Sequence, residues 1–360
     1  MNHRWARFMV LVMALCLTVF VMGPAAIAQS QTQQGKYVIV TDGSNIDGNR
    51  FIEAVQNGLE AFAQHKGLGK DAYGMYLSDG PGSGQKESKI KQAIEDGATV
   101  IILVGYLWFK EDVKIVAKYP NVRFLSFEWT AKSYPDNMIN LTFAEEISGF
   151  MAGYAVVMDG YRQLGFLGGD KKNASVIRYG YGFVQGANEA ATRLNTPVAM
   201  KYWYCGSYSP SAEIQARMET WYAKGTEIVF SCGGSIIESC IQAAQNNNAK
   251  VVGVDQDQSS LSDTIVTSAC KLFDQAVIYM LNLYNAEIQC WPSYLTGSSI
   301  CLSLAEGTVG LPTDDASWRF ASFTLDDYAQ IKIDIANGTT TVSDSVKGRP
   351  KVKMLKVSYE

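Results

Sequence analysis

From residue 36 onward the chain alternates short, wholly apolar runs with longer amphipathic ones. The apolar runs at 37–40, 73–77, 100–104 and 122–127 predict strands that are covered on both faces, because none of them alternates with polar residues. Helical spacing over 51–65, 87–96 and 110–118 places a helix after each of the first three. Strand followed by helix, repeated, predicts parallel strands joined by crossover helices. A second round begins with a helix over 144–158. It continues with strand QLGFLGG, helix 182–193, strand VAMKYWY, helix 212–224, strand EIVFSCGG, helix 236–247 and strand KVVGVD. The two rounds share an element order without a sequence repeat, which predicts two similar doubly wound α/β lobes with a cleft between them.

Ligands of such sheets sit beyond the carboxyl ends of the strands. The residues at those ends are Asp42 with Asn45, the stretch 105–108, Glu128, the stretch 205–208, Gly233 with Gly234, and Asp255 with Asp257. They include carboxylates and aromatic rings but no nucleophile paired with a base, so they suit a binding cleft for a polar, ring-containing small molecule. The glycine-rich stretch DGPGSGQKE lacks P-loop spacing, because Gln85 stands where a glycine should precede the lysine; it reads as a loop shaped by Pro81. Gly233-Gly234 ends a strand and opens a helix, which exposes backbone N–H groups or simply permits a close turn. In GVDQDQ, Asp255 is assigned to hydroxyl binding and Asp257 to a solvated loop.

The amino terminus has its own pattern. Arg4 and Arg7, the apolar run 8–22 and the small residues Ala26-Ile27-Ala28 predict a signal peptide over 1–28, cleaved after Ala28, and export to the periplasm. Removing 28 of 360 residues leaves 332, enough for two domains, and losing two arginines leaves 29 of 31 basic side chains against 35 acidic ones. That balance argues against nucleic acid and anionic membrane surfaces as partners. Only His65 remains after His3 leaves, so a histidine metal site is excluded; at the end of a helix-like run, His65 is explained by the helix dipole. The six later cysteines include no C-x-x-C pair, and Cys290 with Cys301 is the pair assigned to a disulfide because it brackets a Pro- and Gly-containing loop.

The stretch FAEEISGFMAGYAVVMDGYRQLGFLGGDKKNASVIRYGYGFVQGANEA resembles the middle of the basic membrane protein family, the substrate-binding proteins of ABC importers, many of them for purine nucleosides. VTDGSNIDGNRF, GSYSPS, VFSCGG, VVGVDQDQ, TSACK and EGTVGL follow in the family's order, over roughly 36 to 345. The resemblance implies a type I periplasmic-binding-protein fold: two lobes, 35–141 with 262–285 and 142–261 with 286–360, joined by three crossovers. It implies that Phe51 and Tyr208 sandwich a base, that Asp42 meets a polar group, and that Asp255 holds the ribose diol. Lys271 and Gly233 match the family's cleft lysine and strand-end glycine, and Trp108 falls in a cleft segment. Two positions depart from the pattern: Ile52 replaces the asparagine that commonly follows the aromatic, and Ser209-Pro210 replaces an acidic residue after GSY. Both changes remove polar readout.

The resulting expectation is a monomeric, extracytoplasmic binding protein that hands a nucleoside-like solute to a membrane permease, without catalysis, cofactor or metal. An exported enzyme acting on nucleosides or sugars through Asp42 and Asp47, and a ligand-sensing subunit of a signalling receptor, are the competing readings.

Overall fold

The computed structural model describes residues 35–46, 49–286 and 289–360. The signal-peptide region with Ala28, and Asp47, lie outside them. The first round runs β1 (Lys36–Thr41), α1 (Arg50–His65), β2 (Tyr73–Tyr76), α2 (Ser83–Glu95), β3 (Ala98–Val104), α3 (Val113–Val116), β4 (Arg123–Phe127) and β5 (Met138–Phe143). The second runs α4 (Glu145–Met158), β6 (Gln163–Gly168), α5 (Ala174–Arg193), β7 (Val198–Tyr204), α6 (Ala212–Ala223), β8 (Ile228–Cys232), α7 (Ile236–Asn246), β9 (Lys250–Asp255) and β10 (Ile265–Lys271). The remainder is α8 (Phe273–Ala286), β11 (Ser298–Leu302), β12 (Val309–Gly310), α9 (Leu325–Ala336) and β13 (Leu355–Tyr359).

One sheet has the order β11-β5-β4-β3-β1-β2 and is parallel throughout. The other has the order β12-β10-β9-β8-β6-β7-β13, parallel except for β12, which runs antiparallel to β10. Each is doubly wound. On β1, Tyr37 and Ile39 pack toward α1 and α8, while Val38 and Val40 pack toward α2 and α3. In the second sheet, Leu164 and Phe166 face α4 and α5, and Leu167 faces α6 and α7. A strand covered on both sides is apolar at most positions, which explains the unbroken runs; each fully buried aliphatic side chain contributes about 1.5–3 kcal/mol. The chain passes between sheets after β5, after β10 and after β11, giving three crossings and the type I periplasmic-binding-protein fold. Among the described residues no helix is long and apolar enough to cross a membrane.

The structure changes several expectations. The helix expected over 182–193 begins at Ala174, capped by Asn173, whose side chain accepts from Ser175 N at 3.0 Å. Its glycines weaken the helical signal because they are needed for packing: a Cβ on Gly186 would lie 1.9 Å from Phe150 O, and one on Gly149 of α4 would lie 2.2 Å from Tyr179 O. The helix expected over 110–118 shrinks to one turn, because the Asp112 carboxylate holds Phe109 N at 2.9 Å and fixes the preceding residues as a loop. β10 pairs with β9 and β11 with β5. Residues 265–271 thus belong with the second sheet and 298–302 with the first, opposite to the expected lobe assignment of these two strands, while α8 packs on α1 beside the first sheet. Cys290 and Cys301 are free thiols rather than a disulfide. Their loop is fastened by Trp291 instead, which donates Nε1 to Met280 O at 3.0 Å and packs on Tyr284.

Candidate binding cleft

A cavity of about 760 Å³ opens at the carboxyl ends of the strands, lined by both lobes. Its centre is an ion cluster built from five chain segments, which supply Glu128, Glu145, Ser175 with Arg178, Asp255 and Lys271. Lys271 ends β10 at a crossing point and is 3% exposed. Its ammonium pairs with Glu128, lies 3.3 Å from Glu145 Oε1 and 3.3 Å from Asp255 Oδ1, and donates to Ser175 Oγ at 3.3 Å. Arg178, on the first turns of α5, holds Glu145 from the other side at 2.5 Å. Burial alone would lower the Lys271 pKa, but Glu128, Asp255 and Glu145 outweigh it and hold it well above the ordinary lysine value. Burial raises the Glu128 pKa despite Lys271. For Glu145, burial also pushes upward, yet Lys271 and Arg178 prevail and keep it below the usual carboxylate range.

Asp255 ends β9 in the left-handed region, φ 66°, a conformation that aspartate tolerates better than most residues. Its Oδ1 also accepts from Tyr179 OH at 3.2 Å. Tyr208 is 43% exposed, with its ring against Gly169 and its hydroxyl accepting from Asn173 Nδ2 at 3.0 Å. Gly233 is glycine because a Cβ there would meet the Gly169 backbone at 3.0 Å. Tyr208, Gly233, Asp255 and Lys271 all line the cavity.

The other three expected positions sit beneath it. Asp42 is fully buried and accepts from Ser44 N at 2.9 Å, from Ser44 Oγ and from Leu107 N. It braces the loop after β3, where Gly105 adopts φ 126° and a Cβ would collide with the carboxylate. Trp108 packs on Trp129 and donates Nε1 to Val104 O at 3.1 Å. Phe51 is 3% exposed in a cluster with Phe127 and Phe273. The sequence pattern carried no sign of Glu145, Arg178 and Tyr179 and included Tyr106 only within the stretch 105–108; the Asn173 cap was the available signal for Arg178 and Tyr179. Arg50 bridges the lobes, donating Nη1 to Asp257 O at 2.6 Å and Nη2 to Ser260 Oγ at 2.7 Å.

Glu146, the neighbour of Glu145, is buried with Oε2 lacking a hydrogen-bond partner. Its pKa is raised, first by burial and then by Glu145 and Asp344, against the pull of Arg178. A raised carboxyl contributes stability below the ordinary carboxylate range and loses it as pH rises through the folded value. Glu146→Gln is therefore expected to stabilise the protein by about 1 kcal/mol at neutral pH and to converge with the unaltered protein in acid. Urea midpoints at both pH values check this, and a gain that persists unchanged in acid would show that charge is not its source.

The comparisons with known proteins follow the same outline. The family model for ABC transporter substrate-binding proteins of the PnrA-like type matches residues 36–344. The ABC transporter nucleoside-binding protein BmpA of Lactococcus lactis is 23% identical over 326 residues, covering 85% of this chain and 88% of that protein. Basic membrane protein B of Borreliella burgdorferi is 27% identical over 224 residues, 60% of this chain but only 63% of that protein. Among solved structures, an ABC transporter solute-binding protein from Conexibacter woesei superposes with a TM-score of 0.66 at 17% identity, over 86% of this chain and 99% of that one. Fold, cleft position and a match spanning most of the chain agree: it belongs to the family of PnrA-like, basic-membrane-protein-type substrate-binding proteins of ABC transporters.

Proposed function

We propose that this protein is the periplasmic binding component of an ABC importer, that its cleft takes a purine nucleoside, and that it delivers this cargo as a monomer to a membrane permease. The observation that carries the reading is the pairing of a carboxylate, Asp255, with an exposed ring, Tyr208, in one cavity lined by both lobes. A carboxylate offers two acceptor oxygens to a vicinal diol, and an aromatic face suits a heteroaromatic base. The charge pattern selects further. Lys271 and Arg178 are each engaged by carboxylates, and Glu128, Glu145 and Asp255 outnumber them. A phosphate would meet more acid than base, so the cleft suits a nucleoside and disfavours a nucleotide. The name of the Lactococcus relative points the same way.

Asp255→Asn keeps the residue's size but turns one acceptor into a donor. Hydrogen bonds to a charged group contribute about 1.5–3 kcal/mol each, so adenosine should bind roughly tenfold more weakly or worse. 2′-Deoxyadenosine, with half of the diol absent, should lose much less. Calorimetry with both ligands checks this. Equal losses would remove the diol role, and no binding of any nucleoside by the unaltered protein would remove the reading.

A further inference from the structure

Tyr106 stands between Phe51 and the cavity. Its ring lies 5.0 Å from that of Phe51, tilted by 39°, and is 61% exposed, whereas Phe51 is almost wholly covered. Tyr106 lines the cavity together with Tyr208, Asp255 and Lys271; Phe51 does not. Its hydroxyl has no hydrogen-bond partner among the described residues. We infer that Tyr106, not Phe51, is the first-lobe aromatic that stacks on the ligand's ring opposite Tyr208, with Phe51 as its backing. This assignment rests on the nucleoside reading.

Two further observations support it. The residues flanking Tyr106 are pinned on every side. Leu107 donates its N–H to Asp42, and its carbonyl accepts from Lys86 Nζ at 2.7 Å. Trp108 holds Val104 O, and Phe109 N holds Asp112. A ring presented by so rigid a loop loses little freedom when a ligand stacks on it, which favours affinity. Polar readout points the same way. Ile52, where a base-reading asparagine would be expected, is apolar and buried. The Tyr106 hydroxyl is a donor and acceptor available on this side of the cleft, so it can take over contact with the base edge.

The test is calorimetry with adenosine on the unaltered protein, Tyr106→Ala, Tyr106→Phe and Asp255→Asn, with melting temperatures as a fold control. Tyr106→Ala should weaken binding by about tenfold, within the range of base–aromatic stacking, without lowering the melting temperature appreciably. Tyr106→Phe, which keeps the ring, should bind more tightly than Tyr106→Ala. Equal or tighter binding by Tyr106→Ala would mean that the ring is only a cover over Phe51, and would overturn the assignment. If Asp255→Asn loses affinity while Tyr106→Ala does not, the nucleoside reading stands and this one falls. If the unaltered protein binds no nucleoside, both fall.

Discussion

Lys86→Met is expected to cost about 3–5 kcal/mol of folding stability, the loss typical of a buried ion pair deprived of one partner. Both side chains of the Lys86–Asp112 pair are 0% exposed, with Nζ and Oδ2 2.5 Å apart. The ammonium also donates to Leu107 O and lies 5.0 Å from the centre of the Trp108 ring and 4.8 Å from that of Phe109. Asp112 further accepts from Ser83 Oγ and Phe109 N. Removing the ammonium leaves a buried carboxylate without its cation and frees the loop that carries Tyr106. Adenosine affinity should fall along with stability. The double variant Lys86→Met/Asp112→Asn, which buries no unpaired charge, should recover part of the loss. Urea unfolding of single and double variants measures the coupling, and strictly additive losses would show that the two charges do not depend on each other.

Lys271→Met is the second large effect, again about 3–5 kcal/mol at neutral pH, with binding lost as well. The substitution leaves Glu128, Glu145 and Asp255 around a space that holds no ammonium. The sign of the pH dependence follows from Glu145, whose pKa Lys271 and Arg178 keep low against burial. A depressed carboxyl contributes stability above its unfolded range and loses it as pH falls through the folded value. In acid the unaltered protein therefore gives up part of this advantage, while the variant is relieved of like-charge repulsion. The deficit of Lys271→Met should shrink between about pH 7.5 and about pH 3, a window that reaches below the ordinary carboxylate range where the lowered Glu145 is protonated. Urea midpoints at the two values check it; a constant deficit would assign the loss to packing rather than charge.

Much of the fold is legible in the sequence, because strands buried on both faces leave few polar positions; Val38, Ile39 and Val40 can hardly read otherwise. The lobe bounds were not, since pairing of β11 with β5 joins residues about 160 positions apart through an edge strand with little apolar pattern. Within the cleft, Asp255 stands at a strand end that the pattern marks and Lys271 was reached through the family resemblance, whereas Arg178 and Tyr179 lie in a glycine-broken stretch that hides the start of α5. The order of exposure among Phe51, Tyr106 and Trp108 is set by contacts distant in sequence, Asp42 with Leu107 and Lys86 with Asp112. Local periodicity carries no trace of such pairs, and a buried lysine looks the same in sequence as a solvated one.

The Arg50 bridge has a bearing on how cargo is told from no cargo. Its two hydrogen bonds join the lobes through protein atoms alone. Each contributes on the order of 0.5–1.5 kcal/mol to holding the lobes in this arrangement whatever the cleft contains. A ligand then needs to supply only the remainder of the free energy that holds the lobes together. A membrane partner that sensed closure alone would thus read a signal composed partly of background. If the cleft takes nucleosides as proposed, fidelity of uptake would fall to its acid-rich lining, which disfavours anionic cargo, rather than to the bridge between the lobes.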